Sequence, residues 1–200
     1  MHFILNTMIA LNIFTKCPYQ GNPKKRLSDI LTPNERIFIS KKMLINILDE
    51  VKNIKGIRIY IWVYPNYDHS FFLGLKEKYK IILKKQIGRS LLDRMNSCNK
   101  KQLRHYSKSI LIGSDLPTFF SGIITECIKS LETKDCVIGP SKDGGFYLLG
   151  LKNSDNLLNN LFGNKLTYES LKEIVEANNL TYSITYTLKD IDTKEDLLSI

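Results

Sequence analysis

Two hundred residues with 43% hydrophobic and 24% charged content suffice for a sizeable core and exclude wholesale disorder. The formal net charge of +9 suits anionic partners, but the lysines form no block, so a dispersed Lys-rich composition is the better account of it. Cys17, Cys98, Cys127 and Cys136 lack C-x-x-C spacing and nearby histidine patterns, which sets aside structural zinc and a disulfide framework and leads us to expect a reduced, cytoplasmic protein.

In chain order, residues 1–7 read as a loose extension, and Met8–Phe14 as a first strand. Without a basic leading region or a small-residue cleavage site, and with Asn6 and Asn12 inside it, the amino-terminal apolar run does not read as a signal core. No apolar segment approaches the ~18–20 residues of a spanning helix. A Lys/Gly/Pro loop follows from Thr15 to Leu27. Helical spacing of Ile37, Met43, Leu44, Ile47, Leu48 and Val51 predicts a helix over Asn34–Lys52. Ile57–Tyr64, rich in Ile, Tyr, Trp and Val, reads as a strand. Next come a helix over Asp68–Tyr79 with Asp68 as its cap, a strand over Lys80–Lys85 and a helix over Arg89–Tyr106. Ser109–Gly113 reads as a strand and Pro117–Ser130 as a helix opened by proline. Cys136–Gly139 and Phe146–Leu151 read as strands around a Gly-rich loop too short for a crossover helix, so this pair is expected to be antiparallel or separately placed. Helices over Asn153–Asn160 and Thr167–Asn178, a strand over Tyr182–Tyr186 and a helix over Thr193–Leu198 complete the order. Such alternation predicts one α/β domain over residues 1–200, a mostly parallel sheet with helices on both faces.

Three loops carry chemistry. Lys16, Lys24, Lys25 and Arg26 gather on the loop after the first strand, shaped by Pro18, Gly21 and Pro23; they form either a diphosphate cradle or a solvated basic loop. The loop is not a Walker A motif. Asp115 and Asp192 each end a turn after a predicted strand. Either could cap a following helix, or the two together could hold a hard cation beside substrate phosphates. Asp143-Gly144-Gly145 reads as a plain hairpin turn or as a close backbone approach to a ligand. Gln86, Gly88 and Arg94 could reach a base or phosphate. No nucleophile elbow and no Cys-His or Ser-His-Asp pattern is visible.

Five stretches occur in one order: Phe14-Thr15-Lys16-x-Pro18-x-x-Gly21-x-x-Lys24-x-Arg26-Leu27; Gln86-x-Gly88-x-x-Leu91-x-x-Arg94-Met95; Gly113-Ser114-Asp115-x-Pro117; Gly139-Pro140-x-x-Asp143-Gly144-Gly145-Phe146-Tyr147-Leu148-x-Gly150; and Asp190-Ile191-Asp192-Thr193-x-x-Asp196-Leu197. Together they resemble the small bacterial glycosyltransferase-like proteins of the nucleotide-diphospho-sugar transferase superfamily, a group that includes a domain of unknown function and an arsenosugar-biosynthesis-type glycosyltransferase. The resemblance covers about Met8 to Leu197 and departs at Lys25, where Thr is usual, and Leu92, where Gly is usual. It implies a GT-A-type α/β/α sandwich. Asp115 and Asp192 would be ligands of Mg²⁺ or Mn²⁺, with Asp190 a weaker candidate. Lys16, Gly21, Lys24, Arg26, Gln86, Arg94, Gly144 and Gly145 would serve nucleotide and phosphate binding, and Asp143 the acceptor side or a catalytic role. The expected activity is metal-dependent transfer of a sugar from a nucleotide sugar to an unknown small acceptor. The rival is nucleotidyl transfer, as in relatives acting on molybdopterin or phospholactate; a third reading is a non-catalytic nucleotide-binding module. A nucleic-acid partner is not expected, since no aromatic-basic motif accompanies the charge.

Overall fold

The computed structural model describes residues 8–20, 23–152, 166–191 and 196. Element order is β1 (Ile9–Lys16), a 3-10 turn (Lys25–Leu27), α1 (Pro33–Val51), β2 (Ile57–Tyr64), α2 (Ser70–Tyr79), β3 (Ile82–Lys85), α3 (Leu91–Leu103), β4 (Lys108–Gly113), α4 (Gly122–Ser130), β5 (Cys136–Pro140), β6 (Phe146–Lys152), α5 (Tyr168–Ala177) and β7 (Tyr182–Ile184). The strands form one sheet in the order β3-β2-β1-β4-β6-β5-β7. All ladders are parallel except those of β6, which lies antiparallel between β4 and β5. Of the two arrangements open to β5 and β6 the antiparallel one is found, and the sheet is mostly parallel, as the alternation of elements predicts.

Alternate residues of the buried strands feed two cores, giving the three layers. Leu11, Ile13, Ile61 and Ile112 pack with Leu44, Ile47 and Leu48 of α1, Phe72 of α2 and Ile123 of α4 on one face. Ala10, Phe14, Trp62 and Leu111 pack with Met95 and Cys98 of α3 and Leu171 and Val175 of α5 on the other. Within this second layer Asn12 is fully buried and satisfied. Its Oδ1 accepts from Trp62 Nε1 at 2.8 Å and from Gln102 Nε2 at 2.7 Å, while its Nδ2 donates to Ser109 Oγ at 3.1 Å. One polar side chain thereby fixes the mutual register of three strands and α3.

Several boundaries differ from the sequence expectations for local reasons. The helix expected from Pro117 begins only at Gly122, because Leu116 and Phe119 first turn into the core and Glu50 Oε2 accepts the Ser121 N–H at 2.8 Å. Asp68 does not cap α2. His69 does, its Nδ1 accepting from Phe71 N–H, while Asp68 accepts from Asn66. α3 starts at Leu91 through a Ser90–Asp93 capping box. β7 ends at Ile184, two residues early. The helices expected at 153–160 and 193–198 fall outside the described residues, apart from Asp196. No helix among the described residues is long and apolar enough to cross a membrane.

Candidate functional site

The chain builds β1, β2 and β3 outward in one direction, then returns to place β4 on the other side of β1. That reversal makes the crevice at the carboxyl ends of β1 and β4 the topological switch point, where open α/β sheets bind ligands. Three separate segments meet there. From the loop after β1, Lys24 sends its ammonium to Asp115 Oδ2, at 3.0 Å, in the turn after β4. The same ammonium donates to the Ile191 carbonyl in the segment after β7. Ile191 N–H in turn donates to the Asp115 carbonyl at 3.4 Å.

The late segment reaches this crevice by crossing back over the sheet edge. Thr185 N–H donates to Ile138, Leu188 N–H to Pro140, and Lys142 N–H to Leu188. Ile191 then buries its side chain with Leu27 and Met43, so the basic loop, α1 and the tail share a small apolar cluster. Arg36 of α1 steadies the loop by donating to the Pro23 carbonyl at 3.2 Å. Lys24 itself adopts the left-handed conformation, φ 52°. A non-glycine residue there carries a small strain, tolerated where the surroundings over-determine it.

The predicted site residues fall into three groups. Lys16, Lys25 and Arg26 stand exposed at the crevice, Lys16 closing β1 and the other two on the 3-10 turn. Lys24 and Asp115 form the ion pair, the lysine side chain 1% exposed and the carboxylate 51%. The capping alternative for Asp115 fails, since α4 begins at Gly122 with Ser121 before it. Asp190 is described and half-buried, whereas Gly21 and Asp192 lie outside the described residues.

Other candidates are engaged locally. Gln86 is buried, its Nε2 donating to the Thr15 carbonyl at 3.2 Å and the Trp62 carbonyl at 2.9 Å. Both amide protons are thereby used in locking the loop after β3 to the strand ends. Gly88, at φ 145°, lies so close to the first turn of α3 that a Cβ would stand 2.6 Å from Asp93 Cβ and 2.7 Å from Arg94 N. Asp143 Oδ1 accepts from Ser141 Oγ and from Gly145 N–H at 2.9 Å, and Gly144 has φ 87°. This is the self-contained turn that an Asp-Gly pair makes. Arg94 places its guanidinium carbon over the Tyr64 ring, 4.1 Å from the centroid. Sequence reasoning missed Tyr64, an exposed aromatic at a strand's last position, and the Ser114–Thr15 hydroxyl contact at 3.0 Å that ties β4's turn to β1.

Among the described residues no group of three or more His, Cys, Asp or Glu could hold a metal ion. The arrangement offers one half-open carboxylate and a cluster of cations, a donor set for a cation that arrives with phosphates rather than one caged by protein.

These features define a class, and comparison with known proteins agrees: the chain is a transferase that handles nucleotides. It is 30% identical to the 2-phospho-L-lactate guanylyltransferase of Methanocaldococcus jannaschii, over 96% of this chain and 83% of that one. Its fold matches a protein of Desulfovibrio desulfuricans G20 assigned as a nucleotide-diphospho-sugar transferase, with TM-score 0.84 and 22% identity over 94% of this chain and 84% of that one. It also matches the 4-diphosphocytidyl-2C-methyl-D-erythritol synthase of Anaerococcus prevotii, with TM-score 0.67 and 11% identity over 97% and 94%. The chain belongs to the family described as uncharacterized protein conserved in bacteria (DUF2064), whose model matches residues 47–164.

Proposed function

We propose that the protein is a nucleotidyltransferase that moves a guanylyl group from GTP to a small phosphorylated acceptor. The observation that carries this reading is the 30% identity to a guanylyltransferase over 96% of the chain, which leaves little of the crevice unmatched. The resemblance drawn from the five motifs favours glycosyl transfer instead. Both reactions start from a nucleotide held by its phosphates, but they break different bonds, and similarity to guanylyltransferases supports reaction at phosphorus.

In the proposed step, an acceptor phosphate oxygen attacks the α-phosphorus of GTP. The bond from that phosphorus to the oxygen bridging to the β-phosphorus breaks, and the electron pair leaves with pyrophosphate. A phosphate nucleophile is largely ionised at neutral pH, with its second pKa near 6. No general base is then required, which agrees with Asp143 being engaged within its own turn. Lys16, Lys25 and Arg26 stabilise charge on the departing pyrophosphate, while Lys24 sets a fixed positive charge at the crevice. Asp115 and Asp192 would hold Mg²⁺ or Mn²⁺ in the same proposal, and the ion would supply charge neutralisation for the leaving phosphates.

The test incubates the full chain and Mg²⁺ with α-labelled GTP and a panel of phosphorylated 2-hydroxy acids. Pyrophosphate release with label transfer to an acceptor is the expected result. Nucleoside diphosphate released from sugar nucleotides, without pyrophosphate from GTP, would overturn the proposal in favour of glycosyl transfer. Binding without turnover across both panels would overturn it in favour of a nucleotide-binding module.

A further inference from the structure

Resting on the nucleotidyl-transfer reading, we infer that Arg94, held over the Tyr64 ring, reads the guanine base of the donor and is not a phosphate ligand. Tyr64 closes β2, and in the parallel ladder it stands opposite Lys16, which closes β1. Register partners in a parallel pair project to the same face, so Tyr64 and Lys16 share a rim directly above the Phe14–Trp62 contact. Along that rim the order is Tyr64 on β2, Lys16 on β1, then Asp115 after β4. Neighbouring strands are about 4.8 Å apart, so the three posts span roughly 10 Å. A nucleotide laid along them puts its base over β2, its ribose near β1 and its phosphates among Lys16, Arg26 and the Asp115 crevice.

The arginine is prepared for edge recognition. Its Nε donates to the Ser90 carbonyl at 3.1 Å, and its Cζ lies over the Tyr64 ring, so the guanidinium is held at two points. Its Nη groups make no hydrogen bond and meet no carboxylate among the described residues. A guanidinium fork with both outer nitrogens available matches the paired O6 and N7 acceptors of guanine, whereas adenine offers an amino donor in place of O6. The platform is also rigid. Gly88 allows α3 to dock with no room for a Cβ, and Gln86 locks the same loop to β1 and β2. Tyr64 remains 41% exposed at the ligand edge, so a base can reach the arginine held over it.

Calorimetry of the full chain with Mg²⁺ and GTP, ATP, 7-deaza-GTP or tripolyphosphate tests the assignment. Arg94→Lys keeps the charge and loses the fork, so GTP affinity is expected to fall roughly 10- to 100-fold, while ATP and tripolyphosphate stay within about twofold. Wild-type protein is expected to bind 7-deaza-GTP more weakly than GTP, and Arg94→Lys to treat the two alike; this arm guards against a variant that misfolds. Equal losses for GTP, ATP and tripolyphosphate would make Arg94 a phosphate ligand and overturn the inference, as would unchanged GTP binding. Those outcomes leave the pyrophosphate assay untouched, whereas failure of wild-type protein to bind any triphosphate overturns both proposals.

Discussion

Lys24 and Asp115 are the two halves of one ion pair, but only the lysine is sealed from water. Losing the carboxylate takes one counter-charge from a buried ammonium that keeps its bond to the Ile191 carbonyl. Losing the lysine leaves a half-open carboxylate that water can solvate. Asp115→Ala is therefore expected to cost about 2–3 kcal/mol, below the 3–5 typical of a fully buried pair, and Lys24→Met about 1 kcal/mol. Asp115→Asn should fall between them, because its amide oxygen still accepts from the ammonium. Urea denaturation of the three variants checks the order; equal costs for Lys24→Met and Asp115→Ala would show that burial does not govern the pair. At this scale the sequence was informative about charge and position. Asp115 stood out as a carboxylate at a strand end. That its nearest cation would be Lys24, an intended phosphate ligand, depended on a tail folding back from residue 191, and no local spacing encodes that. Tyr64 was unreadable for a related reason: strand periodicity says which face a side chain takes, not which arginine will lie on it.

Among the elements, β7 is a three-residue edge strand and depends on a tether beside it. Asp135, just before β5, accepts from the Thr181 hydroxyl at 2.6 Å and from Thr181 N–H at 2.9 Å. Those two donors hold the Asp135 carboxyl below its ordinary range. A carboxylate more acidic in the folded state than in the unfolded one stabilises above the unfolded value, near 3.9, and the contribution is lost as pH falls through the folded value. Thr181→Val is thus expected to lower stability at neutral pH and to converge with wild type in strong acid. Thermal melts across that pH range check it, and a gap independent of pH would assign the loss to packing alone. Element existence was largely legible: the Ile57–Tyr64 strand matches to the residue, since a β-branched and aromatic run bounded by turn residues has few other folds open to it. Element starts were less legible. α4 begins five residues after Pro117 because burial of Leu116 and Phe119 overrides the local proline signal, and α2 takes a histidine cap that no propensity scale ranks above the aspartate beside it.

For the whole molecule, layer order followed from the alternation of strands and helices, and β6's reversed direction from the short loop before it. The switch point between β1 and β4 became visible only with the sheet order. Two closed cores also explain the cysteines. All four are buried, and burial pushes the Cys98 and Cys127 thiols up and Cys136 to about 12. The native protein should therefore react negligibly with a thiol reagent such as Ellman's at neutral pH, with full labelling appearing only on addition of denaturant. Rapid labelling of any one thiol in the native state would show that its layer opens.

The segment from Thr185 to Ile191 has a consequence for synthesis. The sheet's first half and the basic loop leave the ribosome early, yet the carbonyl that grips Lys24 belongs to residue 191. A growing chain can shape most of the scaffold but cannot finish the crevice until residue 191 emerges. If the crevice is the nucleotide site proposed above, a chain stalled before that residue displays much of the scaffold with an unfinished mouth and binds nucleotide poorly.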